Sequence, residues 1–406
     1  GLQITTTATS NIGLGSNAVD SITTGDYNVG LGDDALTATT SGHSNTANGY
    51  KALAANTTAN NNTAIGRHSL LTNTTGADNT AVGRDSMRMN LTGSSNVGIG
   101  YETLYANTSG AYNVALGALA LDANTTGARN TATGHSALTA NTTGNYNTAS
   151  GFDTLKANTT GTGNVAIGRD SLMTNTTASN NTAVGYASLQ LNTTGYHNTA
   201  VGKSALEDNT TGYYNAAFGY HALKLNTTGL QNSAFGYEAL YSNTSGNYNI
   251  ALGITALGAN TTGNNNVGIG KLALTNNTTA SDNTAVGYRS LAANTTGAGA
   301  TAVGRDSLYS NTTGTFNTAV GKYALWSNTT ASSNTAVGYD SLQGNTTGAN
   351  NTGFGRDALR VNTTGAQNVA VGFEALKAHT TSNDCVAVGY QSQLATTTGT
   401  NNTSLG

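Results

Sequence analysis

The chain has 406 residues, with 16 Lys and Arg against 19 Asp and Glu, a net charge of −3, 52 Gly, no Pro, one Cys and one Trp. Only 9% of residues are charged, far below the ~25% of ordinary globular domains, so neither a basic footprint for nucleic acid nor an acidic tail is present. One Cys excludes a disulfide framework and a Cys-based zinc site, and no run approaches the ~18 apolar residues of a membrane helix or reads as a signal peptide.

A chain this rich in Asn, Thr and Gly is either disordered or repetitive, and its internal register decides for the repeat. The unit N-T-A-V-G-Y-x-A-L-x-x-N-T-T-G-x-x begins at Asn11 and recurs every 17 residues to Asn402, giving 24 copies without insertion or deletion. Position 5 is Gly in all 24 copies, from Gly15 to Gly406, and position 15 is Gly in 18 of 23. Glycine therefore marks fixed turns and is not linker filler.

Along the unit, position 1 is Asn in 22 of 24 copies, with Ala300 and Cys385 as exceptions, and reads as a ladder of stacked amides. Positions 2 to 4 (Thr80, Ala81, Val82) alternate, are β-branched at both ends and predict a short strand. Positions 8 to 10 (Ser86, Met87, Arg88) predict a second. Seventeen residues are too few for a helix pair, so two strands and two turns make one coil. The predicted fold is all-β, a parallel β-solenoid of about 24 coils over residues 1–406. At ~4.8 Å per coil it is a rod roughly 115 Å long.

Position 4 (Leu31, Ile65, Val82, Phe218, Phe235, Val337) is mostly apolar, slipping to Asn48, Thr133 and Ser150. Position 9 is Leu from Leu36 to Leu376, broken by Val19, Met87 and Gln393. These two columns predict the lumen. Position 3 is always small (Ala64, Ala183, Gly268, Gly353, Ser404), which predicts an outer face crowded by a second chain, most simply around a threefold axis. The absence of Pro fits backbone N–H groups that all serve a ladder.

The unit resembles the head repeats of trimeric autotransporter adhesins, whose shorter coils carry a similar V-A-I-G core. The stretch from Asn317 to Leu325, N-T-A-V-G-K-Y-A-L, is closer still to bacterial and phage tail-fibre-type proteins. The resemblance covers essentially the whole chain and is specific in period and motif. It implies a homotrimeric, left-handed β-roll fibre at a cell or virion surface. No anchor, coiled-coil stalk or chaperone segment is read within the array, and neither end reads as a polar cap. The array is therefore expected to be the ordered shaft of a longer protein, or to continue end to end in a filament.

Three columns carry candidate chemistry. Position 6 is a surface stripe of rings and cations, among them Tyr50, Arg84, Tyr101, Arg169, Tyr186, Tyr220, Tyr237, Tyr288, Arg305 and Tyr339. Coils ~5 Å apart allow these side chains either to stack on one another or to bind glycans, whose C–H faces suit Tyr. Position 7 carries acids in adjacent coils, above all Asp340, Asp357 and Glu374, a weak candidate set for Ca²⁺, with neighbouring Arg as the simpler neutraliser.

Position 12 opens an N-x-[ST] sequon in 19 consecutive copies: Asn56, Asn73, Asn90, Asn107, Asn124, Asn141, Asn158, Asn175, Asn192, Asn209, Asn226, Asn243, Asn260, Asn277, Asn294, Asn311, Asn328, Asn345 and Asn362. Each reads either as an exposed N-glycosylation acceptor or as a rung of an Asn/Thr turn ladder, and Thr O-glycosylation is a further alternative.

The six His (His43, His68, His135, His197, His221, His379) are scattered and form no catalytic constellation, and Cys385 stands in the Asn ladder. No enzyme and no cofactor are expected. The partners expected are further copies of the chain and surface glycans, without nucleic acid or membrane insertion in this segment. The sequence thus predicts an extracellular structural fibre that projects or connects. A self-polymerising, glycan-coated matrix filament and a carbohydrate-binding rod are the alternatives.

Overall fold

The computed structural model describes residues 2–3 and 9–406. The chain divides into two compact units, Gly1–Lys203 and Ser204–Gly406. In the first unit, three-residue strands recur every 17 residues from Ile12–Leu14 to Thr199–Val201, and in the second from Ala216–Phe218 to Thr403–Leu405. Within each unit, successive strands pair in parallel without slippage. Thr80, Ala81 and Val82 lie opposite Val97, Gly98 and Ile99, and Thr301, Ala302 and Val303 opposite Thr318, Ala319 and Val320. Each unit is therefore a parallel β-solenoid of twelve coils, and the described residues contain no helix. One short strand lay outside expectation: Leu2–Gln3 pairs antiparallel with Ile12–Leu14.

The inside and outside of the strand are the reverse of the sequence expectation. Position 3 points into the lumen, where Ala64, Ala81, Ala183 and Ala302 are fully buried. Position 4 points outward, with Leu14 52%, Ile167 42% and Phe354 54% exposed. The reason is the width of the coil. Leu at position 9 and Ala, Ser or Thr at position 8 already fill the lumen, as Leu70, Leu104, Ala120 and Ser86 do with no exposure. A Cβ on Gly98 would come within 3.0 Å of Met87 Cε, Ser86 Oγ and Thr103 Oγ1. Position 3 is small because lumen side chains of its own and the preceding coil crowd it, and the second chain inferred from it loses that support.

Positions 8 to 10 form no second strand. The backbone here alternates in hand: Gly236 has φ +139°, Glu238 52° and Leu240 52°, followed by Tyr248 at 58°. Positions 7, 9 and 17 are left-handed in every described copy, at an intrinsic cost of roughly 1–2 kcal/mol for each side-chain-bearing residue. Axial hydrogen bonds offset that cost. Leu240 N–H donates to Ala256 C=O of the next coil (3.0 Å), whereas Glu238 N–H donates to Tyr220 C=O of the coil before (3.0 Å). The ladder thus extends beyond the strands into the bends, which explains the absence of Pro.

Two buried amide ladders close the coil. Asn113 N–H donates to Asn96 Oδ1 (2.9 Å), and its Nδ2 donates to Gly127 C=O (2.9 Å). From the other side Asn124 Nδ2 donates to the same Gly127 C=O (2.9 Å) and to Asn107 Oδ1 (2.8 Å). The position-1 amide ladder is as expected. The position-12 ladder is its twin.

Leu257→Ala should therefore cost about 2–5 kcal/mol, the range for emptying a buried leucine site. Gly253→Ala should also destabilise, because φ is +135° and a Cβ would sit 2.7 Å from the Gly270 carbonyl. Urea denaturation followed by circular dichroism measures both, and an unchanged midpoint for either would contradict this assignment of the core.

Candidate functional site: the outward columns

Position 12 does not offer an exposed acceptor. All 19 sequon asparagines, Asn56 through Asn362, are fully buried. Their Nδ2 atoms, where an N-linked glycan would attach, donate within the coil: Asn260 Nδ2 bonds to Asn243 Oδ1 (2.9 Å) and to Gly263 C=O (3.0 Å). The alternative reading, a turn ladder, describes them. Thr at position 13 adds a parallel rail, with Thr108 Oγ1 donating to Thr125 C=O at 3.0 Å.

The position-6 rings stay near the surface and lean on their column neighbours. Arg84 lies 4.6 Å over the Tyr101 ring, and its Nη2 donates to the Tyr101 hydroxyl, which in turn donates to Glu102 Oε1 (2.6 Å). That last bond holds the Tyr101 hydroxyl pKa above its usual range. Tyr220 and Tyr237 stack at 5.3 Å and 8°. Tyr288 takes Arg289 at 5.0 Å and Arg305 at 5.7 Å, while Tyr339 takes Lys322 and Arg356, both at 5.7 Å. Tyr50 meets His68, Tyr186 meets Lys203, and Arg169 covers Phe152. Mutual stacking is thus present along the column, and the rings remain partly open, with Tyr186 and Tyr237 each 48% exposed.

The position-7 acids Asp340, Asp357 and Glu374 are matched by cations and not gathered around a common point. Arg356 and Arg360 pair with Asp357 at 3.4 and 3.6 Å, Arg360 also reaches Asp340 at 3.7 Å, and Lys377 holds Glu374. Hydrogen bonds from Lys377 and Gln391 keep the Glu374 carboxyl below its ordinary pKa, whereas burial lifts Asp340 despite Arg360. The most enclosed acid, Asp306, is fully buried between Arg289 Nε (2.8 Å) and Arg305 Nε (3.1 Å). Among the described residues no three His, Cys, Asp or Glu side chains converge as a metal site, so the calcium set Asp340, Asp357 and Glu374 is not assembled.

Sequence reasoning missed the outward face of the strand. Positions 2 and 4 display Thr, Val, Ile, Leu and Phe, and no copy carries a charge at either position. Examples are Ile12 (48%), Ile65 (40%) and Ile99 (43%) in the first unit, and Ile250 (45%), Leu252 (49%) and Val320 (37%) in the second. Alternation in T-A-V was a signal of two faces, but not of which face was inner. No helix of the described residues is long and apolar enough to cross a membrane. The chain matches no family model and no curated protein.

Asp122, at position 10, is one of several acids that these pairings do not include. Burial first, and then the neighbouring Glu102, raise the Asp122 pKa. A carboxyl whose folded pKa exceeds its unfolded value weakens the fold as pH climbs through that interval, and the penalty persists above it. Asp122→Asn should therefore give a modest gain in stability at pH 7 that vanishes near about pH 3. Urea midpoints at both pH values test this, and a variant less stable at pH 7 would refute it.

Proposed function

We propose that the protein is a structural fibre at a cell or virion surface, built by lateral association of identical chains through the outward strand face. The observation that carries this reading is the uncharged character of positions 2 and 4 in every copy, with an aliphatic or aromatic residue at position 4 in all but Asn48, Thr133 and Ser150. A solvated sheet face normally alternates apolar inward with polar and charged outward residues. Here both faces lack charge, and contiguous exposed apolar surface marks an interaction site.

The self-contact suits the face in extent and chemistry. Twelve strands spaced ~4.8 Å apart carry two outward side chains each, a strip of several hundred Å² per unit, on the scale of the roughly 800 Å² each partner buries in a stable interface. Identical strips are complementary in hydrophobicity, and their uncharged surfaces incur no penalty for burying like charges. The resemblance to adhesin heads and tail fibres favours three chains in a left-handed roll. Position 4, not position 3, then faces the threefold axis.

A carbohydrate-binding rod is the second reading, favoured by the partly open rings of Tyr186 and Tyr339 beside cations and of Tyr237 stacked on Tyr220. A self-polymerising filament is distinguished by negative-stain microscopy, through indefinite filaments in place of rods of fixed length.

Val286→Asp combined with Val320→Asp places like charges on the strip two coils apart. Sedimentation velocity should show the parent protein as a multimer, and the variant as a single chain at micromolar concentration with unchanged circular dichroism. A monomeric parent protein would overturn the proposal.

A further inference from the structure

Position 14 is Thr or Ser in all 23 described copies, 20 Thr and the three serines Ser41, Ser109 and Ser245. It is exposed in every one of these copies except Ser41, which is half-buried. Nothing in the fold uses the side chain. The two residues before it are fully engaged: the position-12 amide is buried in its ladder, and the position-13 hydroxyl donates to the next coil, as Thr295 Oγ1 does to Thr312 C=O (3.0 Å). The position-14 hydroxyls make no hydrogen bond among the described residues, and only the backbone N–H is held, as in Thr296 N–H to Thr312 C=O.

Other solvent-facing columns show what exposure alone permits. Position 17 runs through Tyr112, Arg129, Tyr146, Gly163 and Asn180 in five successive coils, and position 6 through rings, cations, Ala118 and Ile254. Free exposure gives diversity. Position 14 is the outward column that keeps one functional group, a secondary or primary alcohol, although the fold does not require it. Its surroundings suit an enzyme's approach. The alcohol sits on a turn, next to a Gly or another small residue at position 15, and no charged side chain lies beside it in the tripeptide.

We propose that the position-14 hydroxyl column is an acceptor array for O-linked glycosylation by a transferase that uses a nucleoside-diphosphate sugar. In each transfer the Thr Oγ1 attacks the anomeric carbon, a C–O bond forms, and the anomeric bond to phosphate breaks. The nucleoside diphosphate leaves, and the hydroxyl proton passes to a base of the transferase. Coils ~4.8 Å apart admit a single small sugar on each rung, and longer chains only on spaced rungs. The assignment is independent of the fibre reading, because it rests on exposure and on the idle hydroxyl. It also moves modification from the buried Asn of position 12 to a residue two places on.

Peptide mass spectrometry with electron-transfer fragmentation of protein purified from its native source tests this. The expected result is a sugar-sized mass increment on residues such as Thr296, Thr313 and Thr347, lost on mild alkaline β-elimination with dehydration of the same Thr. Unmodified peptides, or increments confined to position 12 or 13, would overturn it. A control excludes a structural reason for the column. Replacing Thr296, Thr313, Thr330 and Thr347 together by Val should abolish the local increments and leave the urea midpoint within error of the parent protein. A fall in that midpoint matching that of Thr295→Val, which removes a rail hydrogen bond, would show that the fold keeps the column and would also overturn the proposal.

Discussion

The fold depends on a carbonyl that receives two amides. In each regular coil the position-15 C=O accepts from the position-1 amide on one side and the position-12 amide on the other, as Gly263 does from Asn249 (2.8 Å) and Asn260 (3.0 Å). These groups are buried, and a buried amide without partners costs about 1–3 kcal/mol. Satisfaction requires each circuit to bring the chain back over its starting point one rung further along, with the same residue type facing the equivalent carbonyl. A coil of 16 or 18 residues would leave an amide orphaned, so the ladder imposes the period. Where the ladder changes residue, it keeps part of the pattern. Ala300 retains the backbone bond to Asn283 Oδ1, and Cys385 places Sγ near Gly399 C=O. His379 offers Nε2 to Ser382 C=O, leaving Asn362 Oδ1 and its own Nδ1 unpaired.

Against that constraint the composition becomes intelligible. A narrow lumen takes one Leu per coil and little else, so the apolar fraction is modest and Ala is favoured at positions 3 and 8. Left-handed bends would be relieved by Gly, but only position 5 uses it throughout. There a Cβ would strike the neighbouring coil's backbone, as Gly236 would strike Gly253 O. At position 9 burial of Leu outweighs its conformational cost, and the axial hydrogen bonds keep the bend in register. Many of the charges at positions 6 and 7 are answered within the same coil or the next, as Arg84 meets Asp85 and Tyr101.

How far the sequence could be read follows from which signals are local. The position-1 ladder and the Gly turn were legible because their residue types have few other uses at a fixed period. The strand itself was legible from Thr80, Ala81 and Val82, but its sidedness was not: small residues signal crowding without saying by what. Leu31 and Val82 look like core until the lumen is known to be filled by Leu36 and Met87. Positions 8 to 10 read as a strand because residue type does not encode the hand of a Leu. The sequon at Asn56 and its successors has the same letters whether the turn faces water or the interior. At position 6, pairing between neighbouring coils was foreseeable, since Arg84 and Tyr101 needed only their spacing to meet.

The zero-slip register has a consequence for how such a chain changes over generations. A gain or loss of one residue would throw every later rung out of step, whereas a gain or loss of seventeen leaves each joint chemically identical to the one it replaces. Neighbouring coils share nearly the same residues at their ladder positions, so the corresponding gene segments invite unequal exchange, and its products still fold. Length in this architecture is therefore a quantity counted in whole coils, adjustable without redesigning any contact.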